Sequence, residues 1–210
     1  MNEELEKRAI QLATVLFEKL KKYWGVEEQL EMPQIIFSDG NRCYADVKAN
    51  TIHIPRSFLV KPYDLVDSLG EEITHIIRAQ VIGYTDKSPS DKEVNEFIGH
   101  IGAAYADSLI GRRRVVRDDY TPKLSEYDDL TRALKDFFRY IDHIQGYRAG
   151  QNFYEQINQD PEERRSLIRA SDSKIREKYL KIIIVLSVVS TFMIALFSKK
   201  NGTILCAAVL

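Results

Sequence analysis

Cysteine is scarce: the chain has two, Cys43 and Cys206, and no CxxC pair. A disulfide framework and a thiolate zinc site are both excluded, so a metal site would have to be built from His and carboxylates. Charge of one sign is lacking too. Thirty Lys and Arg stand against 31 Asp and Glu, a net charge of -1, which argues against a general nucleic-acid binder. Internal repeats and low-complexity tracts are missing, and with 44% hydrophobic and 29% charged residues collagen-like and wholly disordered readings fall away. The N-terminal MNEELEKRAIQL shows no apolar stretch of the kind a signal peptide needs.

Against this even background stands one long apolar run. Ile182 to Ser198 holds 17 residues without a charge, flanked by Lys181 and by Lys199 and Lys200. At ~1.5 Å per residue a helix of this length covers roughly 25 Å, and lysines at both ends can snorkel across the remainder of a ~30 Å hydrocarbon core. The run is therefore expected to be a transmembrane helix of a single-pass, tail-anchored protein. Lys174, Arg176, Lys178 and Lys181 crowd its N-terminal flank, which places the large N-terminal domain in the cytoplasm. The expected organisation is a domain over 1–160, a charged juxtamembrane helix over 161–181, the membrane helix over 182–198 and a short tail over 199–210.

Residues 3–24 carry Leu5, Ala9, Leu12, Leu16 and Leu20 at helical spacing, with acids in the first turn and lysines in the last, as the helix macrodipole prefers. Short strands are expected at 34–37, 43–47 and 50–54, with Asp39-Gly40 as a hairpin turn between the first two. Two helices should follow, over about 63–82 and 91–109, and two more over 125–146 and 147–159. The fold class expected is α+β, a small, mostly antiparallel sheet packed by helices.

The chemistry concentrates in Glu71-Glu72-Ile73-Thr74-His75. Glu71 and His75 are one helical turn apart on one face, and Glu72 sits about 100° around. Two donors at this spacing can hold one metal ion while Glu72 holds a water beside it. Carboxylate oxygen is an acceptable zinc ligand. Twenty-one residues after His75 comes Glu96, preceded by Asn95, and one turn later His100. The pair Glu72-x-x-His75 also matches one half of a di-iron carboxylate site, but that class needs a second ExxH, which the chain does not supply.

With EExxH followed by NE and His100, the sequence resembles the gluzincin branch of zinc metallopeptidases, whose HExxH helix is followed about 20 residues later by a helix carrying NExxxD. The resemblance implies Zn2+ as cofactor, Glu72 as general base on metal-bound water, and His75 and Glu96 as ligands. Glu71 stands where the family has its first His, and His100 where the family has the Asp that supports it. The acid and the imidazole are exchanged. Two arrangements follow: Glu71 binds the metal with His100 behind it, or His100 binds with Glu71 behind. The segment 143–157 resembles the late helix of such domains, which makes Tyr147 the candidate for stabilising a tetrahedral oxyanion. The resemblance spans about residues 5–157 and implies a zincin-like fold whose edge strand holds a peptide. The function expected is that of a membrane-anchored zinc metallopeptidase acting on a peptide or protein. The alternative is a zincin-like domain without turnover, serving as a binding or scaffold module at the membrane.

Overall fold

The computed structural model describes residues 2–83, 92–112, 150 and 153–180. Helix α1 (Asn2–Tyr23) opens the chain, with Glu3 and Glu4 in its first turn and Lys21 and Lys22 in its last. Its buried stripe is Ala9, Ala13, Leu16, Phe17 and Leu20, the spacing of one helical face. The helix stops where the backbone turns left-handed at Gly25, φ +61°. There Gly25 N donates to Lys22 O and Val26 N to Lys21 O, the paired bonds of a Schellman cap that favour glycine at the turning position. Trp24, beside it, is wholly buried and meets the Tyr23 ring edge-on.

Three strands follow: β1 (Gln34–Ser38), β2 (Tyr44–Asp46) and β3 (Thr51–Pro55). Their order in the sheet is β1-β3-β2. β1 runs parallel to β3, from Gln34 opposite Thr51 to Ser38 opposite Pro55, and β2 runs antiparallel to β3. The sheet is thus mixed rather than mostly antiparallel. The hairpin expected at Asp39-Gly40 is not formed, because β3 lies between β1 and β2. The tight turn is instead the one joining β2 to β3. Asp46 Oδ1 accepts from the backbone N–H groups of Lys48 and Ala49, and Asn50 takes φ 52°, a combination in which Asp and Asn both do what they do best in turns. β3 is the central strand because it is the most apolar. Ile52 and Ile54 are wholly buried, while His53 points to the other face and stacks on Tyr44, ring centroids 4.4 Å apart.

A single 3₁₀ turn over Arg56–Phe58 leads to α2 (Pro62–Ile82). Its Pro62 start needs no N–H partner. Leu69, Ile73, Ile76 and Ile77 are buried, each fixing the helix by about 1.5–3 kcal/mol of transfer free energy. α3 (Lys92–Leu109) buries Val94, Phe97, Ile98 and Ile101. After the helical residues 153–157, α4 (Pro161–Arg169) begins at Asp160, whose side chain accepts from Glu163 N, with Pro161 in the first turn. Arg164 anchors α4 by donating to the carbonyls of Tyr23, Ile157 and Asn158.

The charged helix expected over 161–181 is interrupted. Ala170 is extended, φ -71° and ψ 144°, and a new short helix, α5 (Asp172–Ile175), follows, with a wider π-type turn over Arg176–Leu180. Two compact units result, Met1–Ser171 and Asp172–Leu210, so α4 belongs with the first. Among the described residues no helix is long and apolar enough to cross a membrane. The run 182–198 lies outside the described residues, as do Tyr147 and the helix expected over 125–146.

Candidate metal centre

Glu71, Glu72 and His75 lie on α2, and Glu96 and His100 on α3. The two helices run antiparallel and meet through small residues, which brings their backbones close. A Cβ placed on Gly70 would stand 2.6 Å from Ala106 Cβ and 2.9 Å from Ala103 Cα. Further along, Gly102 accommodates Thr74, and Gly99 accommodates the His75 ring. A Cβ on Gly99 would lie 2.6 Å from His75 Cε1, 2.7 Å from His75 Nε2 and 3.1 Å from Glu71 Cγ. Only glycine leaves space there for both donors of α2.

Across this seam the four side chains form a continuous row. His75 Nε2 is 4.0 Å from Glu71 Oε1. Glu71 Oε2 is 3.3 Å from His100 Nδ1. His100 Nε2 is 3.6 Å from Glu96 Oε2. Imidazole and carboxylate alternate along the row, so each of the two inner groups faces two partners of complementary chemistry. The His100 side chain is 2% exposed, while those of Glu71, His75 and Glu96 keep a narrow exposed edge. One side is therefore open to solvent and one is sealed.

One donor atom each from Glu71, Glu96 and His100 lies within 4.8 Å of the other two. Ligands at ~2.1 Å around a tetrahedral ion stand about 3.4 Å apart. The three residues are thus close enough that they could hold a metal ion. Two carboxylates and a neutral imidazole also balance the charge of a divalent cation. His75 reaches this trio through Glu71. The expected ligand His75 is not in this group, which holds both Glu71 and His100 rather than one of the two.

Glu72 lies beside the row, not in it. Its Oε2 accepts the backbone N–H of Ala45 at 2.9 Å, an N–H of the edge strand β2 on the side away from β3. Burial of the carboxyl raises its pKa well above the usual carboxylate range. The neighbouring charges of Glu71 and Glu96 add to this, and the Ala45 N–H opposes it. A carboxyl poised in this way keeps its proton to a higher pH than an exposed glutamate does.

Several contributors carry no signal in the sequence. Cys43, just before β2, lies near this group: burial pushes its thiol pKa up, with the Glu72 and Glu71 charges next in importance. It lies 28 positions before Glu71 in the sequence, and only the packing of β2 on α2 unites them. The Ala45 N–H is likewise a backbone group that no motif marks. Gly99 could have been found, since a glycine between two donors of one helix face suggests a close approach. Tyr147 lies outside the described residues, and its proposed role stays with the resemblance. Comparison with protein families, with curated proteins and with solved structures finds no match to this chain.

Proposed function

We propose that the protein is a zinc-dependent peptidase of the zincin type, held at a membrane by the apolar run 182–198. The observation that carries the reading is the convergence of Glu71, Glu96 and His100 across α2 and α3, with Glu72 alongside and bonded to an edge strand. Glu71, Glu96 and His100, with His75 adjoining, would hold the metal. Such an ion supplies a Lewis acid that polarises a carbonyl and makes a water acidic. The chain's own groups do the rest. Glu72 takes a proton from the attacking water and hands it to the leaving amine, a task suited to its raised pKa. An edge strand of the sheet would offer backbone groups to an extended peptide. The sealed side at His100 keeps bulk water away from the donors, which strengthens their field.

A second reading is favoured by the donor set itself. With Glu71 where the resembled family has His, two carboxylates would face the metal and weaken it as a Lewis acid. A zincin-like domain that binds metal and partner without turnover would have this composition. By the charge around the apolar run, the domain would face the cytoplasm under either reading.

The test is metal analysis of the detergent-purified full chain, followed by a peptide-library cleavage assay of parent and Glu72→Gln. About one zinc per chain with cleavage abolished in Glu72→Gln supports the peptidase. Zinc without cleavage supports the scaffold. No transition metal after purification in zinc-supplemented buffer overturns both.

A further inference from the structure

A further polar contact of the α2–α3 seam involves a buried arginine. Arg78 lies one turn beyond His75 on α2 and is 2% exposed. A long charged side chain is seldom so deeply placed unless its hydrogen bonds are met. Nη1 donates to Asn95 Oδ1 at 3.1 Å, and Nη2 donates to the Ala170 carbonyl at 3.1 Å. Asn95 immediately precedes Glu96. Ala170 is the extended residue that ends α4.

Two kinds of contact therefore flank the row of donors. On one side, Gly70, Thr74 and Gly102 set how near α3 approaches α2. Small residues fix distance but leave a helix free to roll about its own axis. A roll of one residue's worth, about 100°, would carry Glu96 and His100 out of reach of Glu71. On the other side Arg78 grips the residue next to Glu96 with a directional bond. Its planar fork reaches acceptors on different elements, Asn95 of α3 and the Ala170 carbonyl, so it resists that roll.

We propose that Arg78 is a positioning residue of the metal centre: anchored on Asn95 and on the Ala170 carbonyl, its guanidinium fixes the rotation of α3 that brings Glu96 and His100 to Glu71. The inference rests on the metal-binding part of the reading above and is indifferent to whether the site turns over. It also makes the C-terminal end of α4 part of the support of a site to which α4 contributes no donor.

The experiment titrates Co2+ into the metal-free full chain in detergent and follows the ligand-field absorbance, alongside thermal midpoints. Arg78→Met should weaken Co2+ binding about 10–100-fold, the usual consequence of losing a group that orients ligands. Arg78→Lys keeps the charge but loses the fork, and should not restore the affinity. The paired variant Arg78→Met with Asn95→Leu replaces a buried polar contact by apolar groups, a change that stability commonly tolerates. It should regain the thermal midpoint and not the affinity, a split that a merely structural arginine would not produce. Where Arg78→Met alone does not fold, this paired variant decides. Co2+ affinity within about threefold of the parent in a folded variant overturns the proposal, being far below the outer-shell effect. If the parent itself binds no Co2+, the metal reading fails, and the imidazole nitrogen shifts of His100 in the metal-free protein decide the role of Arg78. Shifts moved by Arg78→Met support a positioning role; unmoved shifts overturn it.

Discussion

His100 Nδ1 stands 3.3 Å from Glu71 Oε2, an imidazole of α3 meeting a carboxylate of α2 across the helix seam. In the resembled pattern the same two positions carry His on the first helix and Asp on the second. The chemistry of the contact is kept while the residues change sides. A carboxylate behind a metal-binding imidazole sets its tautomer and raises its basicity. An imidazole behind a metal-binding carboxylate orients it in the same manner but leaves the ion more negatively surrounded.

This contact makes the two positions interdependent. Glu71→His alone faces imidazole against imidazole. His100→Asp alone sets two carboxylates together, beside a third at Glu96. The double variant Glu71→His with His100→Asp restores a complementary pair. Zinc affinity should fall about 10–100-fold in each single variant and recover in the double. Isothermal titration of the four proteins measures it. Free-energy changes that add would show that the 3.3 Å contact has no energetic counterpart.

Gly99→Ala offers a way to disturb the donors without removing one. Alanine is the better helix former by about 1 kcal/mol, so helix propensity favours the variant. The added methyl meets His75 at 2.6 Å and Glu71 at 3.1 Å, and both must move. Zinc affinity is expected to drop at least tenfold, by the measure of displaced ligands, while the helical circular-dichroism signal stays. Unchanged affinity would mean that neither Glu71 nor His75 contributes to binding in its present position.

The helices were legible because their signals are periodic. The apolar spacing of α1, the run Leu65 to Ile77 in α2 and that of Val94 to Ile101 in α3 each mark one buried face. The candidate site was legible in part because its members sit at helical spacings on two such faces. Strand pairing was not, since short strands leave register and order to long-range packing. Asp39-Gly40 carries the stronger turn signature, yet Asp46 and Asn50 form the tight turn, because central placement buries Ile52 and Ile54 of β3. Arg78 escaped notice for a related reason. A lone arginine on a helix reads as a solvated side chain until α4 is seen to cover it.

The raised pKa of Glu72 has a consequence for the metal-free protein. A carboxyl whose pKa is higher folded than unfolded adds stability below its unfolded value, about 4.3. That contribution is lost as pH rises through the folded value. The metal-free protein should therefore weaken on going from mildly acidic towards neutral pH. Glu72→Gln keeps an acceptor for the Ala45 N–H and cannot ionise, so its stability relative to the parent should grow with pH. Denaturant unfolding of both proteins between pH 5 and pH 8 tests this. A constant difference across the range would show that Glu72 titrates as an ordinary exposed glutamate.

The division of the chain after Ser171 makes the last expectation, that residues 1–171 fold without the remainder. Several contacts that hold α4 lie within the first unit. Arg164 bonds the carbonyls of Tyr23, Ile157 and Asn158, Arg169 pairs with Glu28 at 2.7 Å, and Leu167 and Ile168 are buried. The acceptor for Arg78, the Ala170 carbonyl, is kept as well. Truncation after Ser171 removes the apolar run 182–198 and should yield a monodisperse protein in the absence of detergent. The single tryptophan reports the outcome, since Trp24 is wholly buried against Tyr23 and should emit at the short wavelengths of an apolar site. Zinc at 100 times its dissociation constant should then raise the stability by about 2.7 kcal/mol, and a chelator should reverse it. A truncated protein that aggregates, or whose Trp24 emits as in urea while the full chain in detergent does not, would show that residues beyond Ser171 complete the core.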